Sequence, residues 1–139
     1  MEYIIAVLMA GLSFLLNRLF MRYIGPVTII SLGPAAEETA KTLFAYYLAA
    51  GIVTVHVVFG IIEALYDWFQ DGARHVIAPL LSVAGHSLFG VVTAGALTIT
   101  GSVWAALAVG IVVHLAYNVS VVRLLADRDA KNRRKKDSS

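Results

Sequence analysis

Scarcity of charge constrains this fold most: the first 126 positions contain only eleven charged residues, arranged around long apolar runs. A soluble domain carries about 25% charged residues, whereas this 139-residue chain has 14% and draws 59% of its residues from the hydrophobic set. Apolar surface on that scale has to face hydrocarbon, which excludes a water-soluble globule. A spanning helix uses about 20 residues to cross about 30 Å, so positions 1–126 accommodate five spans, or at most six, and leave no room for an extramembrane domain. Hydropathy and punctuation place five spans at residues 3–20, 26–50, 51–69, 76–98 and 102–125. Turn chemistry at Gly25-Pro26, Ala50-Gly51, Asp71-Gly72 and Thr100-Gly101 supports the cuts. A break at Gly33-Pro34 is expected to divide the second segment into a short re-entrant piece and a main helix.

The predicted fold class is therefore all-α, a polytopic helical membrane bundle of about five transmembrane helices over residues 1–126. Residues 127–139 form a basic tail, expected to be disordered and cytoplasmic. The opening apolar run lacks a basic leader and a small-residue cleavage site, so it reads as a retained helix. Arg18, Arg22, Arg74, Arg123 at the end of the last span, and the tail all fall on one side if the N-terminus lies outside, leaving Lys41 as the one basic residue in the interior of a span. The positive-inside tendency then puts the C-terminus in the cytoplasm. The basic residues do not form the face of a folded domain, so nucleic acid is not an expected partner; the lipid bilayer is. The chain has no cysteine, which removes thiolate nucleophiles and cysteine-held metal.

The charges left inside the spans are the informative ones. An ionisable side chain at the centre of a spanning helix costs about 2.5–3.5 kcal/mol on insertion scales, yet Glu37, Glu38, Lys41, Glu63, His56, His86 and His114 all fall within the apolar segments. Counted from the helix starts, Glu37, Glu63, His86 and His114 each lie roughly 15–18 Å deep at 1.5 Å per residue. They converge on one layer. Glu37 and Lys41, Ser82 and His86, and His114 and Asn118 stand one turn apart on common faces. Lys41 is expected to neutralise Glu37 or Glu38; Glu63, one turn before Asp67, reads as a functional member of the layer ahead of a carboxylate that snorkels toward the near surface. His56 has no evident partner and reads as a hydrogen-bonded core or interfacial histidine. Small residues at Gly85, Ser87, Gly90, Ala94 and Gly95 suit close helix packing, and Tyr46, Tyr47, Trp68 and Trp104 suit interfacial anchoring.

Paired carboxylates and imidazoles in a low-dielectric layer can activate water: one carboxylate takes a proton while its neighbour, held by Lys41, fixes geometry. His114 and Asn118 can donate to an oxyanion. Neither a G-x-S-x-G elbow nor an H-E-x-x-H pair is present. The cofactor expectation stays open between none and a divalent metal such as zinc, with Glu38, Glu63, His86 and His114 as candidate ligands.

The order of these motifs resembles a known family. Glu37-Glu38-Thr39-Ala40-Lys41 matches EExxK, Phe59-Gly60-Ile61-Ile62-Glu63 matches FxxxE, His86-Ser87-Leu88-Phe89-Gly90 matches HxLFG, and His114-Leu115-Ala116-Tyr117-Asn118 matches HxxxN. In this order, over about residues 34–118, they are similar to the PrsW family of intramembrane proteases, in the CAAX-protease and bacteriocin-processing clan. Ala64 stands where the family often has Asn. The resemblance implies hydrolysis of a membrane protein or lipid-proximal peptide. Glu37 would be the general base, Glu38 with Lys41 the orienting pair, Glu63 an assistant to the base, His114 and Asn118 the oxyanion site, and His86 a further polar member. Two other functions suit the same layer: a non-catalytic scaffold or partner-binding subunit, and a small proton- or ion-conducting bundle.

Overall fold

Backbone N–H and C=O groups have no water to bond in hydrocarbon, so a lipid-facing chain must satisfy them within its own helices. A computed structural model of the protein describes residues 1–71 and 76–137, and it is built on that rule. Five α-helices follow one another: α1 (Glu2–Tyr23), α2 (Leu32–Tyr47), α3 (Ile52–Asp71), α4 (Ile77–Thr100) and α5 (Val103–Asp137). A short 3₁₀ segment, Pro26–Ile30, joins α1 to α2. There is no strand among the described residues.

Among the described residues, four helical stretches are long and apolar enough to cross a membrane: Glu2–Tyr23, Ile52–Gln70, Ile77–Thr100 and Val103–Leu124. The fifth expected span is different in kind. At 16 residues α2 is short, and it carries Glu37, Glu38 and Lys41 on its buried side. The break in the second segment also lies earlier than expected, at Ser31, whose φ of −141° and ψ of −94° end the 3₁₀ segment. Gly33 and Pro34 instead occupy the first turn of α2, where proline is tolerated because the N–H it lacks has no intrahelical partner anyway. The boundary between α4 and α5 is as read: Gly101, at φ 65°, closes α4 with its N–H on the Leu97 carbonyl at 2.8 Å.

Two other expectations fare differently. Gly72 and Arg74, used for the third turn and for the orientation, lie outside the described residues. The tail expected to be disordered from residue 127 is helical as far as Asp137, with no break at 126/127. Ala, Lys and Arg are strong helix formers, and lengthening an existing helix avoids the cost of nucleating a new one.

The helices close into a ring in the order α1, α2, α5, α4, α3, and the α3–α4 seam is the most extensive. The ring is polar inside and apolar outside. Glu38, Lys41 and His56 are 0% exposed, while Leu80, Val112 and Ile99 are 66%, 64% and 87% exposed. That inversion fits a bundle solvated by lipid. Tyr47, Phe69 and Trp104, near helix ends, are also largely exposed, as interfacial anchors would be. An apolar cluster of Ile5, Ala6, Met9, Ala10, Ala45, Ile52, Val55 and Phe59 packs within the bundle. The polar layer lies beside it.

The α3–α4 seam has a reciprocal device. A Cβ on Gly60 of α3 would stand 2.8 Å from the Cβ of His86, and one on Gly90 of α4 would stand 2.8 Å from the Cβ of His56. Each helix thus offers a glycine to the other's histidine, and the two rings enter the interior because the backbones come close. Gly60→Ala is expected to cost about 1–3 kcal/mol through overpacking. Gly95→Ala, with nothing within 4 Å, should be neutral or slightly stabilising. Thermal unfolding of the two variants in detergent micelles, followed by circular dichroism, checks the contrast.

Candidate active site

Glu38 is the centre of the polar layer. Its Oε1 lies 2.8 Å from Lys41 Nζ and 3.0 Å from His114 Nδ1, and its Oε2 lies 2.9 Å from His56 Nε2. One turn of α2, one face of α3 and one face of α5 thereby meet on a single carboxylate. Lys41 pairs with Glu38 across three residues, and not with Glu37 across four. His56, for which the sequence suggested no partner, is a fully buried member of this group. Its Nδ1–H donates to the Ile52 carbonyl at 2.8 Å, so the ring is fixed at both nitrogens.

From Lys41 the network continues to α4. Its Nζ is 2.9 Å from His86 Nδ1, and it stands 4.4 Å above the Phe59 ring. An ammonium only donates, so His86 Nδ1 accepts and the ring hydrogen belongs on Nε2. That nitrogen donates to Glu63 Oε2 at 2.6 Å. Glu63 is therefore tied into the layer and is not simply snorkelling, although its side chain remains 27% exposed toward the cavity. An unbroken chain of contacts runs from Ile52 through His56, Glu38, Lys41 and His86 to Glu63.

Glu37 stands apart from that chain and faces a cavity of about 330 Å³, whose wall includes Asn17, Glu63, His86, His114, Tyr117 and Asn118. Its Oε1 accepts a hydrogen bond from Asn17 Nδ2 at 2.7 Å. Its Oε2 has no hydrogen-bond partner among the described residues, and neither has Nε2 of His114. One donor atom each from Glu37, His86 and His114 lie within 4.8 Å of one another, all three residues buried. Phe89 stacks on the His114 ring with centroids 4.2 Å apart, and His86 meets it edge-on at 5.3 Å. These aromatic contacts hold both imidazoles in place at the cavity wall.

The ligand set suited to a divalent cation is accordingly Glu37, His86 and His114. It differs from the expected Glu38, Glu63, His86 and His114, because both Glu38 oxygens are already engaged by three donors and Glu63 bonds to His86. Carboxylate and imidazole suit zinc, and three protein ligands leave a position for water. The fit has one condition: both His86 nitrogens are engaged, so holding a cation there would displace Lys41 or Glu63.

Asn118 lies on the same wall one turn from His114, as the spacing predicted, but its Nδ2 donates to the Ile29 carbonyl at 3.0 Å. It ties the 3₁₀ segment to α5, leaving one amide hydrogen for other use. Two site residues escaped the sequence reading. His56 shares the α3 face of Glu63, two turns away, and that spacing is the signal that could have found it. Asn17 stands beside Arg18 near the end of the first apolar run, and nothing in the pattern of α1 connects it with Glu37.

No protein-family model, no curated protein and no solved structure matches the chain.

Proposed function

We propose that this multi-pass helical protein is an intramembrane endopeptidase of the kind its motifs resemble, the PrsW family, and that it hydrolyses a peptide bond of a membrane-embedded or lipid-proximal substrate. The observation that carries the reading is the buried grouping of Glu37, His86 and His114 on a cavity inside a bundle whose exterior is apolar. A structural ion pair has no need of a cavity, whereas hydrolysis needs room for water beside a base.

In this reading Oε2 of Glu37 takes a proton from water as the oxygen attacks the scissile carbonyl carbon. As the C–N bond breaks, the proton passes to the leaving nitrogen. Glu38, held by Lys41 and His56, accepts from Nδ1–H of His114 and so leaves the Nε2 lone pair directed to the cavity side. A solvent proton taken up on Nε2 before the attack, and kept there through the step, would let the charged His114 donate to the oxyanion. Lys41 and Glu63 fix the tautomer of His86. A divalent cation held by Glu37, His86 and His114 would polarise the carbonyl and acidify bound water. The one-sided placement of Arg18, Arg22, Arg123 and the basic tail supports an N-terminus outside and a C-terminus in the cytoplasm.

Mass-spectrometric mapping of new protein N-termini in membranes from cells producing wild type or Glu37→Gln tests the proposal. Expected are termini within or beside transmembrane segments that appear only with wild type. Equal accumulation of both proteins with no Glu37-dependent terminus would defeat it and favour the scaffold.

A further inference from the structure

α1 contributes Asn17 and Met21 to the cavity wall. The Asn17 amide is held from two sides. Its Nδ2 is 2.7 Å from Glu37 Oε1; a carboxylate only accepts, so the amide nitrogen is the group in contact. On its other side Oδ1 lies against Gly33, where a Cβ would stand 2.7 Å away. A side chain there would crowd the amide and push it from its place against the carboxylate.

The consequence concerns which oxygen of Glu37 is free. With Oε1 committed to Asn17, Oε2 is the oxygen left for the cavity. Without the amide, the carboxylate plane is free to turn about the last side-chain bonds and to swing away from the imidazoles. Resting on the hydrolytic reading above, we infer that Asn17 is a positioning residue for Glu37, and that α1 is thereby a working part of the catalytic apparatus.

The test uses full-length protein in proteoliposomes, with a peptide spanning a Glu37-dependent cleavage site as substrate. Asn17→Ala is expected to lower kcat by about 10–100-fold, the scale of an ångström-level misplacement. KM should stay at the wild-type value, and the unfolding temperature should fall only slightly, as loss of one hydrogen bond to a cavity-lining carboxylate implies. Gly33→Ala, which presses a methyl group onto the amide from another helix, should lower kcat in the same way. Most of its effect should vanish on an Asn17→Ala background, where the amide is gone and only the 3.0 Å approach to the Thr28 carbonyl is left. An active wild type with Asn17→Ala within about twofold of its kcat, far short of the expected loss, overturns the inference, as does a loss of kcat that merely tracks loss of folded protein. A wild type without any Glu37-dependent cleavage defeats the hydrolytic reading itself, and the inference falls with it.

Discussion

Glu38→Ala is expected to leave little folded protein in the membrane. The substitution strips Lys41, His56 and His114 of the carboxylate that all three contact within 3.0 Å, and it does so where Glu38, Lys41 and His56 are fully buried. Removing one partner of a buried charge pair costs about 3–5 kcal/mol, because the remaining charge stays desolvated. Here an ammonium and the ring donors of His56 and His114 are stranded together, against a total stability of about 5–15 kcal/mol for a typical domain. The loss also disconnects α2 from α3 and α5 at one point. Glu38→Gln should fall between the two, since one amide oxygen still accepts from Lys41 or His114 while the NH₂ group opposes the other donors. Yield of membrane-inserted protein and unfolding temperature in micelles are the measurements. A Glu38→Ala protein that melts like wild type would show that water solvates the three donors, and the layer would then be far wetter than its burial indicates.

Glu37→Gln should behave in the opposite way, folding well and failing to turn over. The substituted amide keeps an oxygen for the Asn17 Nδ2 group, so the α1–α2 contact survives, and no other side-chain hydrogen bond among the described residues depends on this position. What disappears is the base: an amide oxygen cannot take a proton from water at neutral pH. General-base catalysis contributes about 10²–10⁴-fold, and a loss of that size per folded molecule is expected in a reconstituted cleavage assay. His114→Ala should lose a similar factor in rate and also some stability, because it deprives Glu38 of one of its three donors. The pair of variants separates chemistry from architecture. Wild-type turnover by Glu37→Gln would remove the proposed base.

Some of the site was legible from residue spacing alone. Rise along a helix is fixed at about 1.5 Å per residue, so counting from the ends of the apolar runs put Glu37, Glu63, His86 and His114 at one depth, and the structure brings them into one layer. The i,i+4 relation of His114 and Asn118 likewise put both on the cavity wall. Depth is one coordinate of three. Which carboxylate Lys41 would choose depended on the rotation of α2 against α4 and α5, and the choice between Glu37 and Glu38 stayed open in the sequence because both lie within one turn of Lys41. The donor role of Asn17 was beyond reach for the same reason: an amide in an apolar helix has no pattern that names its partner.

Sequence by itself determined that this chain is a helical bundle in lipid, because charge scarcity and the need to satisfy every backbone group leave almost no other solution. It also determined that the bundle has a polar layer, because desolvated charges on several helices must find one another. Only the tertiary structure decided how that layer is divided: Glu38 as the shared acceptor for Lys41, His56 and His114, and Glu37 as the carboxylate with an oxygen left over. The physical reason is that contacts between helices depend on how each is rotated about its axis. In the α3–α4 seam that rotation goes with the close approach at Gly60 and Gly90, where two glycines facing two histidines draw the backbones together. Hydrophobic periodicity fixes a face to within a wide arc; a hydrogen bond of 2.7 Å is decided within that arc by packing.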